Sequence, residues 1–158
     1  MAAHPFRATV RWSGNRGTGT SSYAAYSRNH EISGNGKSTV VPGTSDLAPG
    51  GDPSRYTPEE LLAAALASCH MLWFLHLAAD EGVVVTSYED TSEGILEIDR
   101  AHGGRIVEVT LRPRVGVGGG DPSILPKLHA AAHGKCFVAN SVNFPVRVEP
   151  AVVPASTA

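Results

Sequence analysis

The segment 57–82, TPEELLAAALASCHMLWFLHLAADEG, decides the fold of this chain. Thr57 is expected to cap a helix, because Glu60 three residues later completes a capping box and Pro58 suits the first helical position. The stretch that follows is apolar on nearly every helical face, and its plainly polar members are Ser68, His70 and His76. Such a pattern is typical of a central helix that is packed all round. We therefore predict a long buried helix from Pro58 to about Asp80.

A membrane span is the alternative interpretation of this segment, since a spanning helix needs ~20 apolar residues. Acidic residues flank the segment instead, with Glu59 and Glu60 before it and Asp80 and Glu81 after it, and no Lys or Arg anchors either end. Spanning helices normally carry basic residues at one end, and alanine, which is frequent here, is only weakly apolar. We therefore predict a core helix and no membrane partner.

Strands are predicted on both sides of this helix from apolar and polar alternation. They cover 6–12, 22–28, 83–88, 94–98, 105–115 and 144–149. Asn35-Gly36 predicts a tight turn, residues 116–120 predict a glycine-rich turn, and Asp121-Pro122 predicts the start of a second helix. The order of strands, long helix, strands, helix and strand indicates the α+β class.

The composition indicates an ordinary folded protein of one domain. The chain has 158 residues, of which 42% are hydrophobic, and a net charge of −2 without a basic stripe, so no nucleic-acid partner is expected. Two cysteines are too few for a secreted disulfide scaffold, and the N-terminus does not resemble a signal peptide, so we expect a cytoplasmic protein. We assign 1–150 to a single domain and 151–158, which lacks periodicity, to a flexible C-terminal tail.

Cysteine and histidine are the residues that suggest chemistry. Cys69 lies in the middle of the long helix, and Cys136 follows Lys135 near the end of the second helix. Either cysteine can be a buried core residue, because free cysteine behaves as a small apolar side chain. A reactive thiol needs a lowered pKa, which cations or a helix terminus supply. His129, His133 and Cys136 have ligand-like spacing, but three ligands on one helix do not form a closed zinc site, so we predict no metal.

The two cysteine segments resemble the OsmC/Ohr family, the osmotically inducible and organic hydroperoxide resistance proteins. Residues 58–69, PEELLAAALASC, look like the family's helix signature, in which a Pro-Glu-x-Leu stretch leads to a reactive cysteine. Residues 132–140, AHGKCFVAN, resemble the segment with its second cysteine. The resemblance runs from about Ala8 to Val148. It implies antiparallel sheets packed on two helices, including the long central one, in an intertwined homodimer.

The resemblance also implies site residues. Cys69 would be the peroxidatic thiol of a two-cysteine peroxidase, and Cys136 the resolving thiol. Glu59 matches the acidic residue that holds a catalytic arginine. Arg28 and Arg55 are the candidates for that arginine. We expect an apolar wall beside Cys69 formed by Leu66, Met71, Leu72, Trp73 and Phe74.

The implied reaction is the reduction of an organic hydroperoxide to an alcohol. Cys69 would become a sulfenic acid and then form a disulfide with Cys136. An external dithiol would reduce that disulfide, and no cofactor is needed. The alternative is a non-enzymatic dimeric stress or ligand-binding protein of the same family, in which the cysteines are structural.

Overall fold

The computed structural model describes residues 3–99, 101 and 103–155. It divides into two units, of which the first ends at Leu61 and the second begins at Leu62. Each unit is described by itself. The assignment of 1–150 to a single domain stays a prediction.

Unit 1 contains a three-stranded antiparallel sheet in the order β1-β2-β3. Its strands are β1 Thr9–Trp12, β2 His30–Ser33 and β3 Val41–Gly43. The predicted turn at Asn35-Gly36 is confirmed, because Gly36 has a φ of 74° and the Lys37 N–H donates to the Gly34 carbonyl at 3.0 Å.

The strand predicted over 22–28 is wrong. The Arg28 guanidinium donates to the carbonyls of Tyr26 and Tyr23, each at 2.8 Å, and lies 4.0 and 4.2 Å from the centres of their rings. These contacts fold the segment into turns, since one side chain collects two carbonyls that a strand would direct to a neighbour. Ser27 closes the loop, because its N–H donates to the Gly14 carbonyl at 2.9 Å and its carbonyl accepts from Trp12 at 2.8 Å.

The long helix begins as predicted. The Thr57 N–H donates to Glu60 Oε2 at 2.8 Å, and the Glu60 N–H donates to Thr57 Oγ1 at 3.2 Å, which is the reciprocal capping box. Helix α1 then spans Pro58–Asp80 without interruption. Gly82, with a φ of 72°, follows its end.

The described part of unit 2 contains two mixed sheets and the helices that pack against them. The strands are β4 Val84–Asp90, β5 Glu93–Asp99, β6 Gly103–Leu111, β7 Pro113–Gly119, β8 Val146–Val148 and β9 Ala151–Val153. The sheet orders are β4-β7-β9 and β5-β6-β8, in which β9 and β8 add in parallel. Helix α2 spans Leu125–Lys135 after a 3₁₀ turn at Pro122–Ile124, and a second 3₁₀ turn covers Ala139–Ser141. This architecture confirms the α+β class.

Two strands replace the single strand predicted over 105–115. The chain breaks between β6 and β7 at Arg112, whose N–H donates to Asp90 Oδ1 at 2.8 Å. The glycines of 116–120 are also not a simple turn, because β7 continues to Gly119. Gly116 lies opposite Ser87 on β4, where an added Cβ would come within 2.3 Å of Ser87 Oγ. These glycines therefore serve close strand packing.

The segment predicted as a flexible tail contains β9. Its residues Ala151–Val153 pair with 114–116 of β7. This strand corrects the expectation of an unstructured tail at these three residues. Residues 156–158 of the predicted tail lie outside the described residues.

One face of α1 forms the core of unit 2. Its buried residues are Ala63, Leu66, Ala67, His70, Phe74 and Ala78. The first half of this face packs on Val109 and Leu111 of β6, and the second half packs on Val115 of β7 and on α2. On the opposite face Leu72 is 64% exposed, so the described residues of unit 2 alone do not cover the helix on every side. The prediction of a helix packed all round in a dimer stays a prediction.

By length and composition alone, α1 is long and apolar enough to cross a membrane. The core helix of a soluble protein passes the same test, and α1 packs its buried face on two clusters of apolar side chains. The buried face of α1 therefore belongs to the apolar core of unit 2.

Candidate active site

The two cysteines, distant in sequence, meet in unit 2. Cys69 lies in the middle of α1, and Cys136 caps the end of α2, where its N–H donates to the His133 carbonyl at 3.2 Å. The Cys136 thiol lies close enough to Cys69 for the second thiol to influence its pKa, and both residues are free thiols. The structure thus brings together the two residues for which the sequence predicts a shared reaction.

The two thiols differ in their surroundings. Cys136 is 1% exposed, and its burial, reinforced by the neighbouring Cys69 thiol, raises the pKa of its thiol to about 11. The Ala139 N–H donates to Cys136 Sγ at 3.4 Å, and this hydrogen bond lowers the same pKa by a smaller amount. Cys136 therefore stays protonated at neutral pH. Cys69 is half-buried, which makes it the thiol that a small molecule can reach.

An apolar cleft of about 590 Å³ opens over Cys69. Its lining includes Ala65, Cys69, Leu72, Trp73, His76 and Phe137. The rings of Trp73 and Phe137 meet edge to face with centres 5.6 Å apart, and Lys135 Nζ lies 5.3 Å from the centre of the Trp73 ring. Such a cleft suits a ligand with an apolar body.

The apolar wall predicted beside Cys69 is confirmed in part. Leu72 and Trp73 line the cleft, whereas Leu66 and Phe74 are fully buried on the core face of α1. Phe137, which is 70% exposed over the cleft, was not predicted from the sequence. An aromatic residue directly after a candidate reactive cysteine was the available signal.

A pair of buried histidines lies behind the cysteines. His70 Nε2 and His129 Nδ1 are 3.0 Å apart. His70 is 0% exposed and His129 is 4% exposed. Burial lowers the pKa of both imidazoles to about 4, and each has another histidine nearby that acts in the same direction. Both rings are therefore neutral at neutral pH.

The spacing of His129, His133 and Cys136 suggested metal ligands as one possibility. Among the residues that the structure describes, no group of three or more histidine, cysteine, aspartate or glutamate side chains could hold a metal ion. His129 bonds to His70 instead.

The remaining predicted site residues lie in unit 1. Glu59 is in the first turn of α1. Arg28 stacks on its own loop as described above, while Arg55 pairs with Asp52 at 3.2 Å and donates to the His30 carbonyl at 3.3 Å. Their roles toward Cys69 stay predictions.

A known protein family matches the part of the chain that contains the two cysteines. The sequence pattern of the OsmC-like protein family matches residues 51–151, which include both cysteines. No curated protein matches the chain.

Solved structures share the fold over most of their length. An OsmC-like protein of unknown function from Vibrio cholerae is 33% identical, with a TM-score of 0.82 over 95% of this chain and 99% of that one. The organic hydroperoxide resistance protein OsmC of Legionella pneumophila is 20% identical, with a TM-score of 0.64 over 96% and 98%. The organic hydroperoxide resistance protein OhrB of Bacillus subtilis is 22% identical, with a TM-score of 0.61 over 94% and 98%. The chain belongs to the OsmC-like protein family.

Proposed function

We propose that this protein is a thiol-dependent peroxidase that reduces organic hydroperoxides to alcohols. The observation that carries the proposal is the thiol pair, in which a reachable Cys69 in an apolar cleft contacts a buried, protonated Cys136. The names of the Legionella pneumophila and Bacillus subtilis relatives, which describe resistance to organic hydroperoxides, support the same chemistry.

The first step is the attack of the Cys69 thiolate on the distal oxygen of the hydroperoxide. The O–O bond breaks, the alkoxide takes a proton and leaves as an alcohol, and the Cys69 sulfur is oxidised by two electrons to a sulfenic acid. An arginine, for which Arg28 and Arg55 are the candidates and Glu59 the candidate acidic partner, would stabilise the thiolate and the developing negative charge.

The second step joins the two cysteines. Cys136 attacks the Cys69 sulfur, its thiol proton leaves with the hydroxyl group as water, and the disulfide forms. Because Cys136 lies close to Cys69, we expect that little motion is needed to bring the sulfurs together. An external dithiol then reduces the disulfide and restores both thiols, which suits a reducing cytoplasm.

The substrate class follows from the cleft. Its walls are mainly aliphatic and aromatic side chains, which bury an alkyl or aryl group and gain about 25 cal/mol for each Å² of apolar surface removed from water. Hydrogen peroxide has no such group. We therefore propose that organic hydroperoxides are better substrates than hydrogen peroxide.

A homodimer forms part of the proposal. Leu72 in the middle of α1 is 64% exposed beside the apolar cleft, and a second copy of the chain would cover this part of the helix. The cleft over Cys69 also supports the alternative of a non-enzymatic protein that binds an apolar ligand, because a cleft of about 590 Å³ is large enough for such a ligand.

Mass spectrometry after one equivalent of cumene hydroperoxide tests the proposed function. We expect loss of the peroxide and an intramolecular Cys69–Cys136 disulfide. Cys69→Ser is the matched control and should consume no peroxide. Unchanged peroxide and two free thiols in the wild-type protein would exclude the peroxidase and leave the ligand-binding alternative.

A further inference from the structure

The buried histidine pair connects the two elements that carry the cysteines. His70 is on α1 and His129 is on α2, and their rings are nearly parallel, with an interplanar angle of 3° and ring centres 5.3 Å apart. Phe74, one turn further along α1, stacks on His129 with ring centres 4.1 Å apart. The pair therefore has a defined orientation in the core of unit 2.

The protonation of this pair follows from its neighbours. His70 Nδ1 is buried and has no hydrogen-bond partner among the described residues. A neutral imidazole carries one N–H, and a buried N–H without a partner is rarer than a buried acceptor without one. This favours the tautomer in which His70 Nε2–H donates to His129 Nδ1. The pair is then one directional hydrogen bond between two neutral rings, which their lowered pKa values maintain at neutral pH.

Each histidine of the pair lies near one of the two cysteines on the same helix. His70 is the residue after Cys69 on α1. His129 precedes Cys136 by seven residues, which is about two helical turns, so both belong to the same side of α2. Two contacts thus connect the same two elements, one between imidazoles and one between thiols.

We infer that His70 and His129 are positioning residues that hold α2 against α1 so that Cys136 can reach Cys69. An apolar pair could fill the same space and would still pack, but its dispersion contacts would impose no preferred direction on the two side chains. A hydrogen bond in the core has a preferred length and angle. The consequence for turnover rests on the proposed function, whereas the positioning itself does not.

Diamide oxidation measures the positioning without any peroxide. This azo oxidant takes two electrons and two protons from a pair of thiols and is itself reduced to a hydrazine, leaving a disulfide. The test variant is the double replacement His70→Leu with His129→Leu, which removes both partners and so leaves no buried polar group unpaired. The matched control is His70→Gln with His129→Asn, which keeps polar groups near the positions of Nε2 and Nδ1.

We expect the leucine pair to slow Cys69–Cys136 disulfide formation by diamide at least about tenfold, because small displacements of reacting groups have effects of this size. The glutamine–asparagine pair should stay within about threefold of the wild type. Circular dichroism must show that both variants are folded. If the folded leucine pair forms the disulfide at the wild-type rate, the inference is overturned.

Should the leucine pair not fold, single substitution keeps the test decisive. His129→Leu alone should then slow the diamide reaction while His129→Asn restores it, and equal rates for the two would overturn the inference.

Peroxide separates this inference from the proposed function. In the leucine pair, dimedone should trap more Cys69 sulfenic acid than in the wild type after cumene hydroperoxide, because Cys136 no longer captures it. A wild-type protein that forms the disulfide with diamide but consumes no peroxide would refute the peroxidase and leave the positioning role standing. The reverse outcome, with turnover but no effect of the leucine pair on the disulfide, would refute the positioning role alone.

Discussion

Mild acid is expected to destabilise this protein through His70 and His129. Burial in the folded chain lowers the pKa of both imidazoles to about 4, while an unfolded chain restores the ordinary value of about 6.5. Between these values the unfolded state binds more protons than the folded state. The free energy of unfolding therefore falls as the pH drops below about 6.5, and this contribution levels off only below about pH 4.

The size of the effect follows from these two pKa values. Going from pH 7 to pH 5, each histidine lowers the free energy of unfolding by about 2 kcal/mol, so the pair lowers it by about 4 kcal/mol when the two titrate independently. Typical domains have only about 5–15 kcal/mol in total. A change of this size is thus readily measured.

Urea denaturation at pH 7 and pH 5, at one fixed protein concentration, is the assay. The control is His70→Gln with His129→Asn, in which neither position titrates. Burial raises the pKa of Asp90, so this residue makes the free energy of unfolding rise as the pH falls. Its contribution is the same in both proteins and cancels in the comparison. We expect the wild type to lose about 4 kcal/mol more than the control. Equal losses in the two proteins would refute the argument that the histidines are buried and neutral.

Three further predictions concern the proposed reaction. Cys69→Ser should lose all peroxide turnover, whereas Cys136→Ser should complete one round and then accumulate sulfinic acid on Cys69; equal behaviour in mass spectra would contradict the assigned roles. Light scattering at micromolar concentration should show a dimer, and a stable folded monomer would contradict the proposed cover of α1. Ten helical residues put Glu59 about 15 Å along α1 from Cys69, so we predict that Glu59 serves the site of the partner subunit and that mixing inactive Cys69→Ser and Glu59→Ala subunits restores activity. No restored activity would show that Glu59 acts within its own subunit.

Local chemistry made much of the fold predictable. The Thr57–Glu60 capping box is an interaction of residues three apart, and the turn at Asn35-Gly36 depends on one glycine with a positive φ. The errors lie where a particular side-chain contact or a neighbouring strand overrides the local composition. The segment around Tyr23 has strand-like composition, but Arg28 folds it into turns, and Ala151–Val153 shows no periodicity because its strand is specified by its neighbour β7.

The candidate site was predictable in its residues and not in its arrangement. The two cysteines stood out by resemblance to a family, and the structure places them close together. The partnership of His70 with His129 was invisible, because a histidine on an apolar helix has no sequence mark that distinguishes a packed side chain from a paired one. Only the placement of α2 against α1 decides which histidines meet.

The order of Cys69 and His70 on α1 explains how a reachable thiol can have a fixed partner. Consecutive helical residues point about 100° apart, so the cysteine faces the cleft while the histidine enters the core. The core is close-packed and moves little, whereas the cleft must admit a ligand. A bond made by His70 on the core side therefore holds α2 without obstructing the cleft. Any displacement of α2 that lengthens the His70–His129 bond also shifts the end of the helix that carries Cys136, so the rate of disulfide formation depends on a contact outside the cleft.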